Sequence, residues 1–166
     1  MDALKSVITK VLDAIQKVFT TIFDAIKAFI TSVFNDYVTT ICDRVRVEDV
    51  TEMNGMSYNP SGCTALYDAM GISLNALRPY VKDNDQVLVT IVTDGYENAS
   101  KEYNGKAIKA LVDELKREGW VFAYVGANQD VEAVAAKISI TNVMNFDATS
   151  HGAVVMSSKL ANARSR

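Results

Sequence analysis

The sequence predicts an α/β protein: a three-layer sandwich around a mostly parallel, doubly wound sheet, preceded by a long amphipathic helix. Two observations predict this fold. Apolar runs typical of buried strands alternate with helical patterns through the later part of the chain, and the amino-terminal stretch keeps a helical spacing without glycine or proline. With 166 residues, 49% hydrophobic and 22% charged, the chain suits one globular core. We therefore expect a single domain over residues 1–166, with a helix over 1–27 and an α/β body over 28–166.

The amino-terminal helix is predicted from apolar residues that recur at alternating steps of four and three positions. These residues are Leu4, Ile8, Val11, Ile15, Val18, Ile22, Ala25 and Phe29. A second set widens the apolar stripe: Val7, Leu12, Phe19, Phe23 and Ile26. A stripe this wide suits packing on a sheet or among several helices better than a two-stranded coiled coil. We interpret the helix as a cover for the protein's own sheet, with self-association as the alternative.

The next stretch, residues 28–47, predicts a hairpin of two strands. It is rich in β-branched and aromatic residues and contains the turn-forming pair Asn35-Asp36. Residues 48–62 are polar and predict a loop. Residues 64–81 then have the apolar spacing of a helix that stops at Arg78-Pro79, because proline does not continue a helix.

The remainder of the chain alternates strands and helices. Residues 86–93 form a nearly unbroken apolar run, which is typical of a central parallel strand covered on both faces. The later predicted elements are a helix over 106–118 ended by Gly119, a strand over 120–126, a helix over 130–137 with Asp130 as its N-cap, a strand over 141–146 and a helix over 150–163.

Charge and cysteine content exclude several classes of function. The net charge is −3, and no basic run provides a surface for nucleic acid. Cys42 and Cys63 lack the neighbours of a zinc site, so we interpret both as reduced thiols. Charged residues interrupt the apolar amino terminus, which therefore has neither a signal-peptide core nor a membrane span of ~20 uncharged residues. We expect a cytosolic protein with neither nucleic acid nor membrane as partner.

Two polar loops at the predicted binding edge of the sheet carry a family resemblance. One reads Thr93-Asp94-Gly95-Tyr96-Glu97-Asn98-Ala99-Ser100, and the other reads Ser61-Gly62-Cys63-Thr64-Ala65-Leu66-Tyr67-Asp68-Ala69. They resemble two blocks of the von Willebrand factor A (vWA) family, particularly its small bacterial and phage-encoded members. Gly126-Ala127-Asn128 and the ending Ala161-Asn162-Ala163-Arg164 also resemble those members.

The resemblance implies a metal-ion-dependent adhesion site (MIDAS). In the family, an Asp-x-Ser-x-Ser loop, a threonine and a second aspartate hold a divalent cation, usually Mg²⁺. Thr64 and Asp94 match the threonine and the second aspartate. A hard cation of this kind takes oxygen ligands and leaves one position for a partner's carboxylate. The implied function is therefore a non-enzymatic protein-binding module that engages an acidic residue of a protein partner.

The Asp-x-Ser-x-Ser motif itself is absent from this sequence. The segment most similar to this motif begins at Asp13, but Ile15 and Lys17 stand where the motif has its two serines. With Thr64 and Asp94 alone, Mg²⁺ would have too few fixed ligands, so we expect a degenerate site, at most weak Mg²⁺ binding and no cofactor. The family's central first strand is also missing, so the strand of the predicted hairpin must either pair with residues 86–93 or leave an edge unpaired.

Other interpretations stay open. Asp94 is also explained as an ordinary turn residue, and Thr64 as an N-cap without a ligand role. The lone His151 is expected at the surface. A metal-assisted hydrolase using Asp94, Glu97 and Asp130 is the leading enzymatic alternative, although the sequence has no phosphate loop or nucleophile elbow. A structural protein that assembles into homo-oligomers through the amino-terminal helix is the other rival.

Overall fold

A computed structural model describes residues 29–45, 49, 62–147, 149, 151, 152, 154–156, 158 and 159. The predicted amino-terminal helix and Asp13 lie outside the described residues. The chain divides into two compact units: one comprises residues 1–31, 40–61 and 146–166, and the other comprises 32–39 and 62–145. The second unit contains the predicted site, and the expectation of a single domain stays a prediction.

The hairpin predicted over residues 28–47 is confirmed. Strand β1 is Phe29–Phe34, strand β2 is Val38–Val45, and the two form a two-stranded sheet. Asn35 closes the turn between them, because its backbone N–H donates to the Tyr37 carbonyl at 3.0 Å and its side chain accepts from the Tyr37 N–H at 3.0 Å. The turn-forming residues noted in the sequence therefore lie where the chain reverses.

The remaining described elements form a parallel α/β unit. In chain order they are helix α1 (Leu66–Leu77), a 3₁₀ turn (Arg78–Tyr80), strand β3 (Leu88–Thr93), helix α2 (Gly105–Arg117), strand β4 (Val121–Gly126), helix α3 (Val131–Lys137) and strand β5 (Asn142–Asn145). The sheet order is β3-β4-β5, and both pairs of neighbours are parallel. The predicted alternation of strands and helices is confirmed, and the described residues between 151 and 159 are also helical.

Local signals in the sequence set the ends of the helices. The Asn104 side chain caps α2 by accepting from the Ala107 N–H at 3.0 Å, and Gly119 follows that helix with a φ of +93°. The Asp130 side chain caps α3 by accepting from the Ala133 N–H at 3.0 Å, as predicted.

The hydrophobic core lies on one face of the three-stranded sheet. Register places Ile91 beside Tyr124, so these two side chains share a face. The core joins that face to the three helices; its central members are Leu66, Met70, Ile91, Ile108, Val112, Leu115, Phe122, Tyr124, Val131 and Val134. Helices α1, α2 and α3 therefore pack on the sheet through its Ile91–Tyr124 face.

The prediction that residues 86–93 form a central strand is wrong for the described part of the chain. Among the described strands, β4 is in the middle, and β3 pairs only with β4. Leu88 at the start of β3 is 38% exposed, although the run is almost wholly apolar. An apolar run indicates a strand of low polarity, but it does not indicate where that strand lies in the sheet. The composition of residues 86–93 therefore did not distinguish an edge strand from a central strand. Among the described strands, the hairpin strand does not pair directly with residues 86–93, because β1 pairs with β2 in a separate sheet.

Among the described residues, no helix has both the length and the apolar character that a membrane crossing requires.

Candidate functional site

The candidate site lies at the carboxyl edge of the parallel sheet. Register places Thr93 beside Gly126, and Gly126 beside Asn145, so the strands end together. The loop that joins β3 to α2, residues 94–104, therefore begins at the edge where open α/β sheets bind their ligands. The segment that precedes α1, residues 62–65, meets this loop.

The first turn of α1 is capped by residues from the β3–α2 loop. Its own N-cap residue, Ala65, has no side chain that can accept a hydrogen bond. The Tyr67 N–H instead donates to Glu97 Oε2 at 2.8 Å, and the Asp68 N–H donates to Ser100 Oγ at 3.0 Å. Glu97 thus places a carboxylate at the positive end of the helix dipole. The interpretation of Thr64 as the N-cap is wrong, because Ala65 holds that position.

The Glu97 carboxylate is fully engaged in building the loop. Oε1 accepts from the N–H groups of Ala99 at 2.9 Å and Ser100 at 2.8 Å, and Oε2 also accepts from the Ser100 hydroxyl at 2.7 Å. Burial, together with the charge of Glu97, raises the pKa of the neighbouring Tyr67. Glu97 is therefore a structural carboxylate whose two oxygens are occupied.

Asp68 makes the reciprocal connection from α1 back to the loop. Its side chain, in a residue only 8% exposed, accepts from the N–H groups of Lys101 at 2.7 Å, Glu102 at 2.9 Å and Tyr103 at 2.8 Å. Burial acts to raise the pKa of Asp68, but these N–H donors outweigh it, so the pKa lies below its ordinary value. We call the contacts of Tyr67 and Asp68 with residues 97–103 the helix–loop junction.

Thr64 is fixed to the same loop by its backbone. Its N–H donates to Asn98 Oδ1 at 2.7 Å, and its carbonyl accepts from the Asn98 N–H at 3.0 Å. Its hydroxyl faces Gly95, where an added Cβ would lie 3.0 Å from Thr64 Oγ1. The structure thus brings the Thr64 segment next to Gly95, the residue that follows Asp94.

Asp94 stands apart from this network. It is half-buried, and among the described residues no hydrogen bond or ion pair reaches its carboxylate. The turn around it is closed by Thr93, whose hydroxyl donates to the Gly95 carbonyl at 3.1 Å and accepts from the Gly95 N–H at 3.3 Å. The turn therefore does not depend on the Asp94 side chain, contrary to the alternative interpretation from the sequence.

The described residues do not by themselves fit a divalent cation. Within the described ranges, no group of three or more histidine, cysteine, aspartate or glutamate side chains could hold a metal ion. The two sequence candidates would supply one hydroxyl from Thr64 and one carboxylate from Asp94. Mg²⁺ requires six oxygen ligands in near-ideal geometry, so water would have to provide most of them.

The rim of the site is formed by Tyr96 and the β4–α3 loop. The Tyr96 hydroxyl accepts from the Asp130 N–H at 3.1 Å, while 53% of the tyrosine remains exposed. Asn128 has a φ of +57°, and the Gln129 side chain donates to the Thr93 carbonyl at 3.5 Å. The loops after β3 and β4 are therefore joined to each other at this edge.

Sequence reasoning missed Asp68 and Ser100, which hold the helix–loop junction together. A signal was present for Asp68: an acidic residue stands among the buried neighbours Leu66, Ala69 and Met70 on a predicted helix. A carboxylate on an apolar helix face has to be paired, because burial of an unpaired charge is costly. Ser100 left no comparable signal.

No family model matches the chain, and no curated protein matches it. Solved structures do match the chain. Proximal thread matrix protein 1 (PTMP1) from the mussel byssus, in crystal form 2, aligns with a TM-score of 0.63 and 16% identity over 96% of this chain and 40% of that chain. A structure of PTMP1 with a zinc-occupied MIDAS motif aligns with a TM-score of 0.62, 16% identity and the same coverage. This chain thus spans about 40% of the length of that protein. At this identity the comparison shows the fold alone, and the fold is vWA-like.

Proposed function

We propose that this chain is a non-enzymatic protein-binding module whose binding edge is the loop region around Thr64 and Asp94. One observation carries the proposal: the helix–loop junction fixes the loops, while the Asp94 carboxylate between them has no partner among the described residues. A carboxylate is suited to binding when other contacts fix the loops around it and it forms no hydrogen bond that holds the fold together. The mussel protein, which has a similar fold, carries a MIDAS motif occupied by zinc, and this likeness supports a binding role for the present chain.

The engagement of neighbouring carboxylates supports a binding role over the hydrolase alternative. Both oxygens of Glu97 accept hydrogen bonds within the loop, and Asp130 caps α3. A general base has to be within reach of the proton that it removes and has to be free to accept it. Of the three carboxylates considered for the hydrolase, only Asp94 has no hydrogen bond to another described residue.

The metal site is proposed to be degenerate. We expect calorimetric titration with Mg²⁺ and with Mn²⁺ to show no binding tighter than the millimolar range, because Thr64 and Asp94 provide too few ligands. A micromolar site that is lost in Asp94→Ala, and retained in the control Asp83→Ala, would overturn this proposal. The mode that the family resemblance implies, in which a partner's acidic residue completes the coordination of Mg²⁺, would require a tighter metal site than Thr64 and Asp94 provide.

We further propose that the protein is related to the small bacterial and phage-encoded vWA members, that it is cytosolic, and that it self-associates. The last rests on residues outside the described part of the chain. Sedimentation at micromolar concentration tests it, with Phe19→Asp and Ile26→Asp as disrupting variants. A strictly monomeric protein would rule out self-association.

A further inference from the structure

Two exposed tyrosines stand on the turns beside the Thr64 segment. Tyr37 follows Asp36 in the β1–β2 turn and is 74% exposed, and Tyr96 follows Gly95 in the β3–α2 loop and is 53% exposed. Backbone-linked contacts hold both turns: Asn35 closes the first, and the Tyr96 hydroxyl accepts from the Asp130 N–H. Ordered, exposed aromatic side chains of this kind are frequent anchors of protein interfaces.

The two tyrosine-bearing turns are close to each other because residues 62–64 touch both. A Cβ added to Gly62 would collide with the Asp36 carboxylate, and a Cβ added to Gly95 would lie 3.0 Å from Thr64 Oγ1. Three residues of extended chain span at most about 10 Å. The points at which Gly62 meets Asp36 and Thr64 meets Gly95 therefore lie no farther apart than that. We call this surface, formed by Asp36, Tyr37, Cys63, Asp94 and Tyr96, the tyrosine strip.

The tyrosine strip combines aromatic rings with carboxylates. The exposed Cys63 thiol lies beside Asp36, and its hydrogen bond to that carboxylate, together with the carboxylate's charge, raises the pKa of the thiol. The Lys101 ammonium lies 5.9 Å from the centroid of the Tyr37 ring. The strip therefore already contains a ring that accepts a cation from its own chain.

We propose that the tyrosine strip binds an arginine or lysine side chain of a protein partner beside Asp94 and Tyr96. The proposal rests on the binding function above and specifies its chemistry. A guanidinium pairs with a carboxylate and stacks on a tyrosine ring at the same time. In the absence of a bridging metal, a partner's carboxylate would face Asp36 and Asp94 and be repelled.

Selection from a random peptide library displayed on phage tests the proposal. The full chain is the target, once in buffer with a chelator and once with Mg²⁺. We expect both selections to enrich peptides with arginine or lysine at a shared position. Fluorescence anisotropy of the enriched peptide should then show about tenfold weaker binding when that residue is replaced by alanine.

Matched variants of the protein locate the binding site. Asp94→Asn and Tyr96→Ala should each weaken the peptide about tenfold, whereas Tyr96→Phe, which keeps the ring, should bind like the wild type. Asp83→Asn, in the turn before the amino end of β3, is the control at the opposite edge of the sheet. Circular dichroism confirms that each variant is folded.

The alternative outcomes separate the two proposals. Enriched peptides that depend on aspartate or glutamate, on Mg²⁺ and on Asp94 would overturn the cationic proposal and uphold the binding function. Peptides that bind equally to the wild type, Asp94→Asn and Tyr96→Ala, or a selection without enrichment, would overturn both.

Discussion

Two halves of the β3–α2 loop contrast in how they use their polar side chains. In the later half, residues 97–103, Glu97 and Ser100 bond to the first turn of α1, and Asp68 bonds back to three loop N–H groups. In the earlier half, residues 94–96, the Asp94 carboxylate forms no hydrogen bond or ion pair with the described residues, and Tyr96 is exposed. Carboxylates three positions apart in the sequence therefore differ in their contacts: Glu97 holds the loop to α1, whereas Asp94 forms no hydrogen bond or ion pair with the described residues.

The largest effect is expected for Asp68→Ala. This change removes the acceptor of three backbone N–H groups in a buried setting, so the free energy of unfolding should fall by about 3 kcal/mol. Urea unfolding followed by circular dichroism measures it. The control Asp113→Asn, at the exposed pair with Lys109, should leave the unfolding midpoint unchanged. Equal stability of Asp68→Ala and the wild type would show that the junction does not hold the two segments together.

A second comparison sets Glu97 directly against Asp94. Glu97→Gln should lower the free energy of unfolding by about 2 kcal/mol, because an amide NH₂ cannot accept the hydrogen bonds that the second carboxylate oxygen accepts. Asp94→Asn should change it by less than about 0.5 kcal/mol. The same urea titration measures both variants. A larger loss for Asp94→Asn than for Glu97→Gln would reverse the assignment of the two carboxylates.

A smaller effect should appear in the pH dependence of stability. The pKa of Asp68 is lower in the folded chain than its ordinary value of 3.8. Its charged form is therefore favoured by folding, and that contribution is present above pH 3.8 and is lost as the pH falls through the folded pKa. The stability difference between the wild type and Asp68→Asn should thus shrink below about pH 4. A difference that stays constant from pH 7 to pH 2 would contradict this sign.

The smallest effect is expected for Gly71→Ala. A Cβ at Gly71 would lie 2.5 Å from the Tyr103 ring, which closes the helix–loop junction over α1. Alanine in place of glycine stabilises a helix by roughly 1 kcal/mol, but displacing the Tyr103 ring should destabilise the fold by more than that. The free energy of unfolding should therefore fall by about 1 kcal/mol. Thermal unfolding measures it. In a protein that also carries Tyr103→Ala, Gly71→Ala should become stabilising. If Gly71→Ala still lowers the stability of that protein, the clash is not with the Tyr103 ring.

The elements could be predicted from the sequence because their signals are local. Apolar periodicity predicted the parallel unit, the pair Asn35-Asp36 predicted the hairpin turn, and Asp130 was predicted as the N-cap of α3. The two candidate loops were found as blocks, and the structure brings Thr64 next to Gly95. The helix–loop junction could not be predicted, since hydrogen bonds between side chains and backbone groups 30 or more positions apart leave no periodic trace. The position of β3 at the edge of the described strands was missed for a related reason: strand order depends on distant partners.

The capping of α1 by Glu97 and Ser100 has a consequence for the order of folding. An isolated helix of twelve residues is marginal in water, and this one lacks a local cap. Its first turn gains its cap only when a loop 30 or more positions later has closed onto it, which carries an entropic cost of chain closure. The start of α1 and residues 97–103 should therefore consolidate together as one cooperative unit. In native-state hydrogen exchange, the amides of Tyr67, Asp68 and Tyr103 should open with a common free energy.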